Sequence, residues 1–274
     1  MTVVAHLSDP HFGTEVDAVA AGLQEELRAQ PADLLVVTGD VTQRARRGQF
    51  LRARAFLDAL PAAPRLLLPG NHDIPLFDLF TRVTRPYRLW TRYLGPELEP
   101  AHEDEALTLL CVNATRATRR KHGVISSDQI ERTARRLETA RGALRVVAVH
   151  HPLAVPVASD ARNRARGADA ALERWIDAGA DLVLGGHIHL PYCISVASRA
   201  GRRAILLQAG TAVSRRVRRG APNSYNRIVL ERGSGGRAMC IERRDWDASA
   251  ARFHTAARHE AAETRAGWTL RTLP

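Results

Sequence analysis

The chain has 274 residues, which is enough for one large domain with a sizeable core. Hydrophobic residues make up 45% and charged residues 25%, so wholesale disorder is excluded. The formal net charge of +11 favours an anionic partner, such as an anionic substrate, a nucleic acid or a membrane surface. Lys121 is the only lysine, however, and an arginine-rich, lysine-poor composition is also typical of biased codon usage.

The sequence carries no sign of export or of membrane insertion. The longest apolar stretch, 146–158, is interrupted by His150, His151 and two prolines, so it cannot form a spanning helix. Residues 1–7 run directly into a predicted core strand, without the apolar segment of a secretion signal. The three cysteines are odd in number and far apart, which argues against a disulfide framework. We therefore expect a cytoplasmic protein.

The first quarter of the chain alternates between short apolar strands and amphipathic helices. Strands are predicted at 2–7, 33–38 and 65–68, and helices at 16–29 and 48–60. Strands that alternate with helices form right-handed βαβ units around a largely parallel sheet. The predicted fold class is therefore α/β.

Residues 76–104 interrupt this alternation, and we predict a helical insertion there. The segment contains five of the fourteen aromatic residues, Phe77, Phe80, Tyr87, Trp90 and Tyr93. These side chains form either a lid that faces a substrate or ordinary helix packing, and the sequence leaves both open.

The alternation resumes after the insertion and then changes character. Strands are predicted at 107–113, 145–149 and 181–184, and helices at 126–140, which begins with a capping box, and 168–178. From residue 192 the helices stop and the chain becomes β-rich. The last predicted strands, at 192–198, 204–208, 225–231 and 237–243, favour a second, more antiparallel sheet. We predict that residues 1–274 form a single domain.

Polar side chains of the kinds that bind metal ions follow five of the predicted strands. They are Asp9 and His11, Asp40, Asn71 and His72, His150, and His187 and His189. Each group alone could be a helix cap, a tight turn or a core histidine. In an open α/β sheet, however, ligands bind beyond the carboxyl ends of the strands, so these five segments are expected to meet in one crevice.

The types of side chain indicate which ions such a crevice suits. Carboxylate and amide oxygens together with imidazole nitrogens suit Mn, Fe, Zn or Co, and thiolates are absent from the set. Asp40 follows a middle strand and is the natural bridge between two ions. Two ions about 3.5–4 Å apart can clamp a phosphoryl group and ionise a bound water as the nucleophile.

The five segments resemble the five-block signature of the calcineurin-like metallophosphoesterases. The blocks are Asp9-Pro10-His11, Gly39-Asp40, Gly70-Asn71-His72-Asp73, His150-His151-Pro152 and Gly186-His187-Ile188-His189. With its His-His-Pro block, the chain most resembles the bacterial branch that hydrolyses cyclic nucleotides and glycerophosphodiesters. The resemblance implies a four-layer α-β-β-α sandwich, in which two mixed central β-sheets are flanked by helices.

The resemblance also implies a role for each residue. One metal ion would be held by Asp9, His11, Asp40 and His189, and the other by Asp40, Asn71, His150 and His187. His72 would face the substrate and help to protonate the leaving oxygen, with Asp73 orienting its ring. Either histidine of the pair at 150–151 could be the ligand, and the position at the strand end favours His150.

Several functions remain open at this stage. The expected substrate is a small anionic phosphodiester, either a cyclic nucleotide or a glycerophosphodiester. A nuclease of the same superfamily, as in double-strand-break repair, is an alternative that the net charge favours. A lipid-precursor pyrophosphatase is disfavoured, because that branch has arginine where His72 stands. From another class, a non-catalytic scaffold could keep the metal site for structure, and a homo-oligomer is possible.

Two basic segments have no fixed role from sequence alone. Arg116, Arg119, Arg120 and Lys121 could contact a substrate anion or lie in a solvated loop. The tract 215–219 is predicted to be a solvated loop.

Overall fold

The computed structural model describes residues 1–61, 63–233 and 236–273. The helices are α1 (Asp17–Ala29), α2 (Arg47–Asp58), α3 (Leu79–Thr84), α4 (Arg88–Tyr93), α5 (Ser127–Glu138) and α6 (Ala168–Asp177), with short 3-10 turns at Asn71–Asp73 and Ala158–Asn163. The strands are β1 (Thr2–Leu7), β2 (Leu34–Thr38), β3 (Arg65–Leu68), β4 (Ala101–Glu103), β5 (Leu107–Val112), β6 (Leu144–Val149), β7 (Leu182–Gly185), β8 (Tyr192–Ala197), β9 (Arg203–Gln208), β10 (Ser224–Gly233), β11 (Gly236–Asp247), β12 (Arg252–Thr264) and β13 (Gly267–Leu273).

The strands form two sheets that meet at one corner. Sheet I has the order β3-β2-β1-β10-β11-β12-β13, and sheet II has the order β9-β7-β6-β5-β4, with β8 also paired to β9. A single residue pair, Gly267 with Arg203, joins β13 to β9. Both sheets are mixed, because β1–β3 and β5–β7 with β9 pair in parallel. Strands β10–β13 in sheet I, and β4 and β8 in sheet II, join them in antiparallel pairs.

The prediction that the strands from residue 192 onward form a sheet of their own is wrong. Strands β8 and β9 extend sheet II, and β10 to β13 extend sheet I. The reason is that β1 would otherwise leave one edge unpaired, and β10 fills this edge with an antiparallel register from Thr2–Leu230 to His6–Asn226.

Three apolar layers hold the sheets and helices together. Side chains from both sheets, such as Val36 and Leu109, fill the space between them. Helices α1 and α2 cover the outer face of sheet I with residues such as Phe50, and α5 and α6 cover sheet II with residues such as Trp175. The predicted four-layer sandwich is confirmed. Among the described residues, no helix has both the length and the apolar character needed to cross a membrane.

The predicted insertion at 76–104 contains two short helices and also a strand. Strand β4 was missed because its three residues, Ala-His-Glu, carry no strand pattern; it adds antiparallel to the edge of β5. The aromatic residues divide between two roles. Trp90 on α4 is buried against Phe50, whereas Phe77 and Phe80 are 73% and 79% exposed.

Candidate metal centre

The predicted ligands all follow the carboxyl ends of parallel strands. Asp9 and His11 follow β1, Asp40 follows β2, Asn71 follows β3, His150 follows β6, and His187 and His189 follow β7. The first three strands belong to sheet I and the last two to sheet II, so the cluster lies where the ends of both sheets meet. The structure brings the segments together as the sequence predicted.

The backbone at these positions adopts a conformation that side chains usually avoid. Five of the seven predicted ligands have positive φ angles: Asp9 (52°), His11 (44°), Asp40 (48°), His187 (74°) and His189 (56°). Residues other than glycine rarely occupy this region, and such strain is concentrated at functional sites. The turns therefore place side chains in the crevice at a cost in local stability.

Two glycines of the motifs are required by close packing. A Cβ atom at Gly70 would collide with the backbone nitrogen and the carboxylate of Asp40. One at Gly186 would collide with the hydroxyl of Ser8 and the carboxylate of Asp9. Glycine at these positions lets the turns after β3 and β7 approach the aspartates.

Asp9, His11 and His189 form one group of potential metal ligands. The Nε2 atom of His189 lies 3.2 Å from Asp9 Oδ1, and the Nε2 atom of His11 lies 3.5 Å from the same oxygen. The two Nε2 atoms are 3.1 Å apart. Ligands that share a tetrahedral ion at about 2.0–2.2 Å lie roughly 3.3 Å from one another, so these separations fit a shared cation.

Asp40 lies between this group and a second one. Its Oδ2 atom is 3.7 Å from His11 Nε2, and its Oδ1 atom is 3.4 Å from His150 Nε2. Oδ1 also accepts a hydrogen bond from the backbone N–H of His72 at 2.8 Å. Its two oxygens thus face different histidines, which is the arrangement required of a bridging carboxylate.

Asn71, His150 and His187 supply acceptors on the other side of Asp40. The buried atoms Asn71 Oδ1, His150 Nε2 and His187 Nδ1 have no hydrogen-bond partner among the described residues. The opposite ends of two of these side chains are fixed: Asn71 Nδ2 donates to the carbonyl of Arg120 (3.2 Å) and His150 Nδ1 to that of Thr38 (2.7 Å). Buried acceptors without partners are costly, and a cation would satisfy them, so the residues fit a metal ion.

The two aspartates of the cluster favour the anionic form that binds a cation. Burial works to raise the pKa of Asp9, but nearby histidines, His189 foremost, hold it well below its ordinary value. Burial also opposes the ionisation of Asp40, yet His150 and its neighbours lower the pKa of that carboxyl well below the usual range. Burial lowers the pKa of His187. The aspartates have the opposite effect on two other histidines: although burial opposes it, Asp40 raises the pKa of His150 to about 9 and Asp9 raises that of His189, so a cation that binds there would displace protons.

The two adjacent histidines are both buried but have different partners. His151 donates through Nε2 to the carbonyl of Lys121 (3.0 Å), and its ring lies 4.4 Å from that of His187. Ring nitrogens of His150, His151 and His187 all lie within 4.8 Å of one another, so either member of the pair could take part in this group. Of the two, His150 also reaches Asp40.

We expect His150→Ala to weaken Mn binding more than His151→Ala does. Loss of a direct ligand should lower the affinity by more than about 100-fold, whereas loss of a supporting residue typically costs about 10–100-fold. Calorimetric titration of both variants with Mn measures the difference, and each variant serves as the control for the other. The opposite order of affinities would make His151 the ligand.

Among the described hydrogen bonds, none joins the Asp73 carboxylate to the His72 ring, so the expectation that Asp73 orients this ring is wrong. Its buried carboxylate accepts hydrogen bonds from the N–H groups of Val41 (3.0 Å), Thr42 (2.7 Å) and Gly70 (2.9 Å) and from the hydroxyl of Thr42 (2.8 Å). Burial, and after it Asp40, raise the pKa of Asp73 to about 7. Asp73 ties the turn after β3 to the turn after β2, and it thereby fixes Asn71 relative to Asp40.

His72 is oriented by other groups. Its Nδ1 donates to the carbonyl oxygen of Gln43 at 2.8 Å. The guanidinium of Arg216 lies 3.2 Å from Nε2, and that of Arg44 lies 3.1 Å from Nδ1. The ring packs edge-on against His11, with 4.9 Å between centroids, and its side chain is 19% exposed. His72 therefore sits between the cluster and the open space beside it.

That open space is a cavity of about 510 Å³, and five cationic side chains line it. They are Arg44, Arg120, Lys121, Arg216 and Arg218. The prediction that 215–219 is simply a solvated loop is wrong for two of its arginines. Arg216 and Arg218 face the cavity while Arg215, Val217 and Arg219 are exposed. The sequence Arg-Arg-Val-Arg-Arg contains no signal of this division, because arginine occupies both the inward and the exposed positions.

The basic residues that follow β5 also have two different roles. Arg120 and Lys121 line the cavity. Arg116 instead donates to the carbonyl of Asn113 (2.9 Å) and to Gln129 Oε1 (2.5 Å), which supports the start of α5. The cluster and the cationic cavity together are suited to bind a phosphate group against metal ions.

Comparison with known proteins identifies the family. The sequence model of the family described as calcineurin-like phosphoesterase matches residues 2–191. The chain belongs to this family. The resemblance of the five blocks is confirmed, and this calcineurin-like phosphoesterase has a cluster of histidines and aspartates that could hold metal ions.

Solved structures show the same fold. The structure of PhoD is similar with a TM-score of 0.73 and 12% identity, over 100% of this chain and 71% of that chain. The purple acid phosphatase PPD1 from seeds of yellow lupin (Lupinus luteus) is similar with a TM-score of 0.66 and 10% identity, over 93% of this chain and 52% of that chain. The comparison with curated proteins found no match. At these identities the structural similarity shows the shared fold of the calcineurin-like phosphoesterase.

Proposed function

We propose that this calcineurin-like phosphoesterase is a phosphodiesterase that hydrolyses a small phosphodiester at a centre of two metal ions. The observation that carries the proposal is the position of Asp40, whose two oxygens face two separate groups of buried potential metal ligands. Each group contains unsatisfied buried acceptors, and each matches the needs of one divalent ion.

The proposed ligands follow from these two groups. One ion takes Asp9, His11, Asp40 and His189, and the other takes Asp40, Asn71, His150 and His187. Carboxylate, amide and imidazole donors suit Mn, Fe, Zn or Co. When bound, the ions supply charge to the phosphoryl oxygens and ionise a water molecule as the nucleophile.

The other residues act on the substrate and on the geometry of the site. Asp73 and Gly70 hold the turn that carries Asn71 close to Asp40. His72 faces the cavity, where its Nε2 can approach the leaving oxygen, and the arginines beside it offset negative charge. The cavity volume lies in the range of small-molecule sites, about 300–1,000 Å³, which favours a cyclic nucleotide or a glycerophosphodiester.

A nuclease activity is the second candidate, because the five cations of the cavity also suit a polyanion. A structural role for the metal site without catalysis is the third. The cationic cavity beside the cluster disfavours this last function, since a purely structural metal site needs no opening for an anion.

We expect removal of metal to abolish hydrolysis of bis(4-nitrophenyl) phosphate and Mn to restore it, because the nucleophile depends on the ions. Full activity after metal removal that elemental analysis has verified would rule out the mechanism. A metal-loaded protein without activity on any diester would favour the scaffold. Comparing a 3′,5′-cyclic nucleotide and a glycerophosphodiester with single-stranded DNA separates the small-molecule enzyme from the nuclease.

A further inference from the structure

The cationic cavity holds more positive charge than one phosphodiester requires. Of the five cations that line it, Arg218 forms an ion pair with Asp160 at 2.8 Å. Arg44, Arg120, Lys121 and Arg216 have no carboxylate within 4.0 Å among the residues that the structure describes. A phosphodiester carries one negative charge, and the proposed metal ions already face it.

The segment that carries Arg120 and Lys121 is fastened to the candidate metal centre. Its three successive carbonyls each accept a hydrogen bond from a different buried or half-buried side chain. The donors are Arg82 to the carbonyl of Arg119 (2.8 Å), Asn71 to that of Arg120 (3.2 Å) and His151 to that of Lys121 (3.0 Å). We call residues 119–121 the basic loop. Asn71 is a proposed metal ligand, and the ring of His151 touches that of His187. These hydrogen bonds therefore hold the basic loop in a defined position relative to the candidate metal centre.

Arg44 and Arg216 are fixed on the His72 side of the cavity. Arg216 donates to Gln43 Oε1 at 2.9 Å, and its carbonyl accepts a hydrogen bond from His189 Nδ1. Arg44 donates to the carbonyl of Gln43 at 3.1 Å. Since both guanidinium groups also touch the His72 ring, they are placed for the scissile phosphate and its leaving group. Arg120 and Lys121 of the basic loop do not contact the His72 ring in this way, so the scissile phosphate does not account for their charges.

We propose that Arg120 and Lys121 bind a second phosphate group of the substrate, separate from the phosphodiester that is cleaved. This inference rests on the proposed phosphodiesterase function and narrows its substrate class. The preferred substrate is a phosphodiester that also carries a phosphomonoester, rather than one whose remaining groups are neutral. Both residues are exposed on a backbone that hydrogen bonds to its carbonyls hold in place, and charge-assisted hydrogen bonds from two neighbouring cations give such a group affinity and selectivity.

The test uses two esters that differ by one phosphate and share a leaving group. They are the 4-nitrophenyl ester of thymidine 5′-phosphate and the same compound with a phosphate at the 3′ position. We expect kcat/KM to be about 10–100-fold higher for the 3′-phosphorylated ester, the range given by hydrogen bonds to charged groups. In the double variant Arg120→Gln, Lys121→Gln, this ratio should fall to about 1, while hydrolysis of the simpler ester persists.

Arg119→Gln is the matched control. It removes one positive charge from the same loop at a side chain that does not line the cavity, so the ratio should stay near that of the unchanged protein. Equal kcat/KM values for the two esters in the unchanged protein would overturn the inference. An unchanged ratio of the two kcat/KM values in the double variant would also overturn the inference.

Failure of the proposed function is distinguishable from failure of this inference. If the Mn-loaded protein hydrolyses neither ester, the phosphodiesterase proposal fails. Calorimetry then compares thymidine 3′,5′-bisphosphate with thymidine 5′-phosphate as ligands. Tighter binding of the bisphosphate that the double variant loses would support the second phosphate site, and equal affinities would refute it.

Discussion

Replacing Asp40 by alanine is expected to lower the metal content from two ions per chain. It should also reduce the rate of diester hydrolysis by more than about 100-fold, which is more than the loss of a residue that only supports a ligand usually costs. Asp40 is the residue whose carboxylate reaches both donor groups, with oxygens 3.7 Å from His11 Nε2 and 3.4 Å from His150 Nε2. Its removal should therefore weaken both proposed ion positions, whereas loss of any other ligand should weaken mainly one.

Elemental analysis of the purified variant measures this effect, with kcat/KM recorded in parallel. Asp160→Asn is a suitable control, because Asp160 also lines the cavity but lies outside the cluster and pairs with Arg218. It should keep both ions. Asp40→Asn complements the alanine variant, since the amide can still accept the hydrogen bond from the His72 N–H while it lacks the charge. If Asp40→Ala retained two ions per chain, the assignment of the bridge would be refuted.

The sequence could predict that the proposed metal ligands lie close together, because each of them follows the end of a strand and the strand ends can be predicted from the sequence. Short apolar runs such as 65–68 coincide with the strand that the structure contains. The polar residue that follows each parallel strand must lie at the same edge of the sheets. Asp40 and Asn71 meet for this reason, although 31 positions in the sequence separate them.

The pairing of the later strands could not be predicted in the same way. Alternation of apolar residues identifies β10 and β11 as strands, but it contains no information about which edge they join. That choice depends on distant partners, as in the pairing of Val3 with Val229. Sequence patterns therefore predicted β8 to β11 but assigned them to a sheet of their own, and they did not predict β12 and β13.

The lining of the cavity depends on loops, and loops take their shape from tertiary contacts. The basic loop faces the cavity because Asn71, His151 and Arg82 bind its carbonyls. None of these contacts is visible as a local sequence pattern. The partners of Asp73 were missed for the same reason, because proximity to His72 in sequence does not imply contact between the side chains.

The orientation of His72 suggests a test of its chemical role. Its Nδ1 is engaged with the carbonyl of Gln43, so Nε2, which lies 3.2 Å from the Arg216 guanidinium, is the nitrogen nearer the cavity. This atom lies 4.0 Å from Asp40 Oδ2, close to the proposed metal positions but outside both donor groups as we assign them. When both ring nitrogens carry a proton, the one on Nε2 could be transferred to the departing oxygen of a diester held there, while Nδ1–H stays bonded to the carbonyl of Gln43.

We expect His72→Ala to keep both metal ions and to lose rate, with a loss that depends on the leaving group. General acid assistance is typically worth about 10²–10⁴-fold, and an alkoxide, which is a strong base, needs it most. A 4-nitrophenolate departs readily without a proton. The loss in kcat should therefore be larger for an alkyl ester than for the 4-nitrophenyl ester of the same phosphate.

Arg44→Gln provides the control, because it removes a positive charge beside the ring and leaves the imidazole in place. It should slow both esters by a similar factor, since its charge acts on the phosphate whichever group departs. Metal analysis of the His72→Ala variant separates chemistry from misplaced ions. Equal losses for the two esters, together with lowered metal content, would refute the acid role and would make His72 a residue that only supports the turn after β3.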